Sequence, residues 1–334
     1  MAEQELSEQF DQFVESVLGG ASARATAGVR ADDPLTSLVD VATQLVSLPS
    51  EGFRTRLSDD LKRRAAMSTS TAKSAIDPVK KAREGFYTIT PYLAVREAKE
   101  LIEFVKQAFG AEGTIFGTGS QGGVHSEYKI GDSMLMIGGG PAWRGTPNFA
   151  ALHMYVDDVD AVYARALAAG ATSMQEPIES HGERLAGVKD LSGNEWYIAK
   201  RLEGSHTDEG LHTVNLYLHP RGASQMIEFL KSAFGAEEIV VHRAETDGPV
   251  MHAKIRVGSS VLEMGEAHGP YQPLSTMFYL YVDDVDAWYR RAVAGGATSQ
   301  QEPTDQPYGD RVAAVADPFG NTWYIGTPIQ QAGQ

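Results

Sequence analysis

Tyr155-Val156-Asp157-Asp158-Val159-Asp160-Ala161 returns almost unchanged as Tyr281-Val282-Asp283-Asp284-Val285-Asp286-Ala287, 126 residues further on. The run reads as a strand end followed by a helix start. Aspartate is a strong N-cap, and an acid in the first turn suits the positive end of the helix dipole. Working outward, Ile102-Glu103-Phe104 with Ala108-Phe109-Gly110-Ala111-Glu112 is matched by Ile227-Glu228-Phe229 with Ala233-Phe234-Gly235-Ala236-Glu237. Ala169-Gly170-Ala171-Thr172-Ser173 is matched by Gly295-Gly296-Ala297-Thr298-Ser299. Gly193-Asn194 before Trp196-Tyr197-Ile198 is matched by Gly320-Asn321 before Trp323-Tyr324-Ile325. Matches in one order at a nearly constant offset mean a duplicated domain.

Each repeat divides again into two half-modules. The first opens with an apolar strand (88–95; 213–218). A helix follows, with stripe Leu101, Phe104, Val105, Ala108 or Met226, Phe229, Leu230, Ala233, closed by Gly110 or Gly235 as C-cap glycines. Strands come next at 125–130 and 133–137, and at 250–257 and 260–264, joined by Gly131-Asp132 and Gly258-Ser259 as hairpin turns. The second half-module restarts with a strand (151–156; 277–282) and the helices that Asp157-Asp158 and Asp283-Asp284 cap. Two strands are located after each (187–190 with 195–199; 312–316 with 322–326). Strand–helix–three-strand, twice per repeat, is the expected organisation.

Together with Gly309-Asp310-Arg311 and Asp317-Pro318-Phe319-Gly320-Asn321, these motifs resemble the vicinal-oxygen-chelate superfamily, which holds glyoxalase I, extradiol dioxygenases and bleomycin-resistance proteins. Within it they look most like the branch often labelled PhnB-like. The resemblance covers residues 86–328. It implies an α+β fold of two tandem domains, each of paired βαβββ modules curling around a cleft for a metal or small ligand. The expected division is a helical leader and linker (1–85), a first domain (86–205), a second (206–328) and a tail (329–334). In the leader, Leu6, Phe10, Phe13, Val14, Val17 and Leu18 recur at helical spacing, as do Leu35, Leu38, Val39, Ala42, Leu45 and Val46. Such stripes pack on each other, on the domains, or on a protein partner.

A formal charge of −15 argues against nonspecific binding to nucleic acid or an anionic membrane. There are no cysteines, so disulfides, thiolate metal sites and cysteine nucleophiles are absent. No apolar run approaches the ~18–20 residues that span a bilayer. The acidic start Met1-Ala2-Glu3-Gln4-Glu5 does not fit a signal peptide, which makes a cytoplasmic protein the expectation.

The resemblance assigns four ligand positions to each cleft. In the first repeat they fall at Thr90, Met136, His153 and Tyr197, and in the second at Asn215, Glu263, Tyr279 and Tyr324. Only His153 and Glu263 are strong donors, one per repeat. No cofactor is expected on this count, although a divalent metal stays open. His153 and Glu263 are also the weak catalytic candidates. His125 and His252, equivalent in the repeat, are candidate pocket residues, as are Tyr197, Tyr279 and Tyr324. Arg184 and Arg311 follow Glu183 and Asp310 and suit either an anionic ligand or a structural ion pair. Gly117 to Gly123 and Gly138-Gly139-Gly140-Pro141 lack a phosphate-loop ending and read as mobile loops at the cleft mouth. Three readings follow: a binder of a small organic molecule, a metal-dependent lyase, isomerase or dioxygenase, and a scaffold that recruits a partner through its leader. Because single-domain relatives make a shared cleft by dimerising, a tandem chain can replace that dimer internally. Monomer and homodimer both stay open.

Overall fold

The computed structural model describes residues 85–118 and 122–329. The helices expected in the leader lie outside the described residues. Four βαβββ modules follow one another along the chain. The first comprises β1 (Ile89–Val95), α1 (Ala98–Phe109), β2 (Glu112–Thr118), β3 (Val124–Ile130) and β4 (Ser133–Gly139). The second comprises β5 (Ala151–Tyr155), α2 (Val159–Ala168), β6 (Thr172–Ser180), β7 (Glu183–Lys189) and β8 (Glu195–Arg201). A 3-10 turn at His206–Glu209 leads to the third module: β9 (Val214–Leu218), α3 (Ala223–Phe234), β10 (Glu237–Arg243), β11 (Val250–Val257) and β12 (Ser260–Met264). The fourth holds β13 (Met277–Tyr281), α4 (Val285–Ala294), β14 (Thr298–Asp305), β15 (Asp310–Ala316) and β16 (Thr322–Pro328). Among these described helices none is long and apolar enough to cross a membrane.

The local chemistry places these elements where the motifs put them. Gly110 and Gly235 close α1 and α3 in the left-handed region, at φ 68° and 65°. The Asp158 and Asp284 carboxylates accept from the backbone N–H groups of Ala161 and Ala287 at the starts of α2 and α4. Asp190 and Asp317 each hold a buried tight turn together. Asp317 accepts from the backbone of Phe319 and Asn321, from Asn321 Nδ2, and from Trp323 Nε1 at 2.8 Å. Asp190 repeats this pattern with Asn194 and Trp196. Each tryptophan is fully buried on its aspartate.

Four further strands, β2, β6, β10 and β14, complete the modules without a clear sequence signal. They lie at the sheet edges and most of their residues are exposed, so they carry little of the alternation that marks a half-buried strand. The reading of Gly138 and Gly139 as loop glycines is corrected, since both are buried in β4; in the other stretch Gly117 belongs to β2, while residues 119–121 lie outside the described residues. A Cβ on Gly139 would lie 1.9 Å from the Val95 carbonyl oxygen, and one on Gly138 would lie 2.7 Å from the Tyr92 hydroxyl. These glycines serve close packing on β1 rather than mobility.

The strand order reveals how the repeats combine. One eight-stranded sheet runs β14-β15-β16-β13-β1-β4-β3-β2, and the other β10-β11-β12-β9-β5-β8-β7-β6. The first module therefore shares a sheet with the fourth, and the second with the third. Antiparallel seams join them, Thr90 facing Tyr279 and His153 facing Asn215. The helices keep the other allegiance. α1 packs on α2 and α3 on α4, and Arg165 and Arg291 donate across these contacts to the carbonyls of Ala108 and Ala233. Each repeat is thus continuous in its helical layer while its two halves enter different sheets. The hairpin turns lock the exchange: Asp132 and Ser133 accept from the Thr213 and Val214 backbone, as Ser259 and Ser260 accept from Thr88 and Ile89. One continuous apolar core draws on all four modules.

Candidate functional site

Along β5, Leu152 and Met154 enter the apolar core beneath the helices, so His153 and Tyr155 point to the opposite face. A one-sided sheet would leave that face wet. Here His153 is 8% exposed and Glu263 1%, so each sheet wraps around its own helix-distal face as a cleft.

Exchange of modules regroups the expected ligand positions. His153 and Tyr197 share a cleft with Asn215 and Glu263, while Thr90 and Met136 share one with Tyr279 and Tyr324. The grouping by sequence repeat is corrected accordingly. Its consequence is chemical, because the two strong donors now meet: His153 Nδ1 donates to Glu263 Oε2 at 2.7 Å.

The cleft between the second and third modules is rich in charge. His153 Nε2 lies 3.7 Å from Glu183 Oε2, and Glu183 pairs with Arg201 Nε at 3.0 Å and accepts from the Tyr155 hydroxyl. His252 Nε2 lies 3.9 Å from Glu263 Oε1, and its Nδ1 hydrogen-bonds the Tyr217 hydroxyl. Lys254, buried on β11 opposite Glu263, pairs with Glu209. Burial opposes a charge on His153, but the carboxylates of Glu263 and Glu183 outweigh it and raise its pKa above the ordinary 6.5. Burial likewise pushes the Glu263 pKa up, yet His153, with smaller help from His252 and Lys254, brings it below 4.5. Both shifts favour the imidazolium and carboxylate forms, in keeping with the 2.7 Å contact between them. Burial lowers the pKa of His252, and of His219 to about 4, so both rings are neutral at pH 7. Tyr197, Tyr217, His219 and Tyr271 form a continuous aromatic wall beside this network.

The cleft between the first and fourth modules is built differently. Phe86, Met136, Tyr279, Tyr281 and Val312 pack together within it, with Tyr92, Met134 and Tyr324 against them. His125 hydrogen-bonds Tyr92 and lies 3.7 Å from Glu127. Tyr279 donates to Asp310, and burial keeps its hydroxyl well above its usual pKa. The offset of 127 residues sets Glu127 against Lys254 and Met136 against Glu263, and that of 126 sets Tyr279 against His153, so among the described residues the His153–Glu263 ion pair has no counterpart in this cleft.

Arg184 and Arg311 sit outside the clefts. Arg184 pairs with Asp160 of α2 at 2.6 Å, and Arg311 with Asp286 of α4 and Asp305 of β14 at 2.7 Å each. It is the preceding residues, Glu183 and Asp310, that face inward, as alternation along a strand requires. Glu183, Asp310, Lys254, Arg201 and Glu209 carry no motif that marks them as site residues, although Lys254 shares the His252 side of β11 at the two-residue spacing of a strand.

The ligand set that the resemblance assigns to the charged cleft does not fit a metal. His153 and Glu263 are bonded to each other. Asn215 spends its amide on the His212 backbone, and Tyr197 donates to Glu195 with a pKa raised by burial, so its oxygen stays protonated. In the other cleft Thr90, Met136 and two tyrosines offer no strong donor. Among the described residues no group of three or more His, Asp or Glu side chains is placed to hold a metal ion.

Known proteins agree with this architecture. The profile of the Glyoxalase/Bleomycin resistance protein/Dioxygenase superfamily matches residues 218–325. An uncharacterized protein of Mycobacterium bovis is 33% identical over 120 residues, which is 33% of this chain and 78% of that protein. The anthracycline biosynthesis protein DauV of Streptomyces sp. strain C5 is 27% identical over 189 residues, 55% of this chain and 67% of its own. The crystal structure of glyoxalase I from Zea mays superposes with a TM-score of 0.55 at 13% identity, covering 72% of this chain and 92% of that one. This likeness shows the fold. On its sequence and its paired βαβββ sheets, the chain belongs to the glyoxalase/bleomycin-resistance/dioxygenase superfamily.

Proposed function

We propose that this protein binds a small organic molecule in the cleft between its second and third modules, without the metal that many relatives use there. One observation carries the reading: at the positions assigned to metal ligands, a buried His153–Glu263 ion pair lies beside an aromatic wall. A site with a few fixed polar groups against aromatic surface suits an orienting, largely apolar contact. The relatives named for anthracycline biosynthesis make anthracyclines the compounds to screen first. Both clefts close within one polypeptide, which supports a functional monomer. The leader is the part left for a protein partner, and assignment to the PhnB-like branch rests on the motifs alone.

Two measurements test the reading. Elemental analysis and divalent-ion calorimetry on tag-free protein are expected to give no stoichiometric metal and no ion-induced rise in melting temperature. Stoichiometric metal lost in both His153→Ala and Glu263→Ala would replace this proposal with metal-dependent chemistry. In a calorimetric screen, a bound compound should lose about tenfold or more in affinity when Tyr197→Ala removes an aromatic wall. If Tyr324→Ala weakens it and Tyr197→Ala does not, the ligand belongs in the other cleft.

A further inference from the structure

The segment joining the two repeats crosses the mouth of the charged cleft. It folds as the 3-10 turn His206–Glu209, started by a Ser205 capping box and bounded by Gly204 and Gly210 at φ 68° and 77°. His206 stacks on Tyr155, ring centroids 4.5 Å apart and planes within 5°. Leu211, 1% exposed, packs with Tyr155, Ala199 and Val261 on the cleft face. Between these anchors Glu209 turns inward: its carboxylate meets Arg201 Nη2 at 2.6 Å and also pairs with Lys254. The Lys254 side chain is 9% exposed and that of Glu209 36%, so the lysine is built into the protein while its partner carboxylate reaches water.

Charge bookkeeping shows what Glu209 does there. Arg201, Lys254 and protonated His153 face the carboxylates of Glu183, Glu209 and Glu263, three against three. Glu183 is held by Arg201 and Tyr155, and Glu263 by His153, on strands of the sheet. Glu209 alone comes from a connecting turn. If its side chain swings out, three cationic groups face two carboxylates, and a buried ammonium is left without its anion. Water is a poor substitute at such a site, whereas another carboxylate restores the balance.

We propose that Arg201 and Lys254 form a carboxylate-binding subsite, which the Glu209 carboxylate fills in the free protein, and that an incoming carboxylate ligand displaces it. The inference rests on the cleft reading above and narrows its ligand to a compound with an apolar body and an anionic end. Tyr155, Leu185, Leu211 and Val261 supply the apolar contact next to the two cations. The hinge is the turn between Gly204 and Gly210, whose backbone conformations glycine adopts freely.

Benzoate, with benzamide as its neutral isostere, tests this on the full chain. In Glu209→Gln the competing internal anion is gone, so the binding-competent fraction rises, and benzoate should bind about tenfold or more tightly than to the native protein. Benzamide should not gain. Adding Lys254→Met to Glu209→Gln should abolish the gain. In the native protein, saturating benzoate should speed amide exchange across residues 204–210. Equal benzoate affinity in the native and Glu209→Gln proteins, or a benzamide gain equal to that of benzoate, overturns the subsite. Should Glu209→Gln fold poorly, the exchange experiment on native protein decides alone, and unchanged exchange at saturation sinks the proposal. If an anthracycline binds through Tyr197 while these arms fail, only the subsite is lost. If no compound binds through Tyr197, the cleft reading itself falls.

Discussion

His153→Gln should cost about 3 kcal/mol of stability at pH 7, and Glu263→Gln distinctly less, although the two residues share one hydrogen bond. The asymmetry comes from what each survivor does when left alone. Without Glu263, His153 can lose its proton, and for a group with an ordinary pKa of 6.5 that is nearly free at pH 7. Without His153, Glu263 remains a fully enclosed carboxylate with only His252, 3.9 Å away, and Lys254 to offset its burial. Protonating it from an ordinary 4.5 at pH 7 costs about 3 kcal/mol, at 1.36 kcal/mol per pH unit. Urea denaturation of the two single variants and the double variant checks this. The double variant should recover much of the loss, because neither charge is then left buried.

The pH dependence follows from the same pair. Glu263 has a depressed folded pKa, so its contribution is present above 4.5 and is lost as pH falls through the folded value. His153 has a raised one, so its contribution is complete below 6.5 and is lost as pH rises through the folded value. The gap between the native protein and His153→Gln should therefore widen from pH 4.5 upward, as each pH unit adds to the cost of keeping the variant's Glu263 protonated, and level off above 6.5, where the native pair weakens as well. At acid pH the gap closes from both sides, since the desolvated Glu263 of the variant takes up its proton early. The groups facing the pair are Glu183, Tyr155, His252 and Lys254; of the carboxylates, Glu183 remains held by Arg201 and Tyr155. A gap that stays constant from pH 4 to pH 8 would show that the pair carries no buried charge.

How far the sequence reaches into this structure depends on the range of the interaction. Asp158, Asp284, Gly110 and Gly235 act on the next few residues, and their helices begin and end where those residues require. The partner of β1 is set by a distant choice. β5 and β13 carry near-identical patterns ending in the same Tyr-Val-Asp-Asp run, so the alternation on β1 fits either neighbour. The choice is made by contacts that leave no periodic trace, such as Gly131 against Thr213 and Gly258 against Thr88, where a Cβ would approach within 2.3 Å. The candidate site was half legible for the same reason. His153 and Glu263 stood out as donors, but their meeting needed the exchange of modules. Glu209 lies in a linker, where no period says which way a side chain points.

Asp317→Ala should be the other severe substitution, at about 3 kcal/mol. The aspartate accepts from two backbone N–H groups, from Asn321 and from Trp323, all within a buried turn, and truncation leaves those donors unsatisfied. Asn is a poor replacement. Its amide would direct N–H groups at the Asn321 and Trp323 donors, so Asp317→Asn should fall nearer to Ala than to the native residue. Trp323→Phe tests the indole bond separately, about 1 kcal/mol beyond the change in packing. Asp190 has the same partners in the other repeat, and Asp190→Ala should match Asp317→Ala to within about 1 kcal/mol. The form of the melt says more than its midpoint. The four tryptophans report from the second module (Trp196), the fourth (Trp288 and Trp323) and the loop after β4, where Trp143 lies against Arg96 of the first module. Two independently folded repeats would give a melt in which the damaged repeat unfolds first. Here Asp317 lies in the module that completes the sheet of β1 to β4, and its helix packs on that of the third module. The defect therefore reaches every module through the shared core. A single fluorescence transition, shifted down by about 6–12 °C on a scale of ~2–4 °C per kcal/mol, is the expected result. Two resolved transitions would mean that the repeats unfold apart despite their exchanged strands.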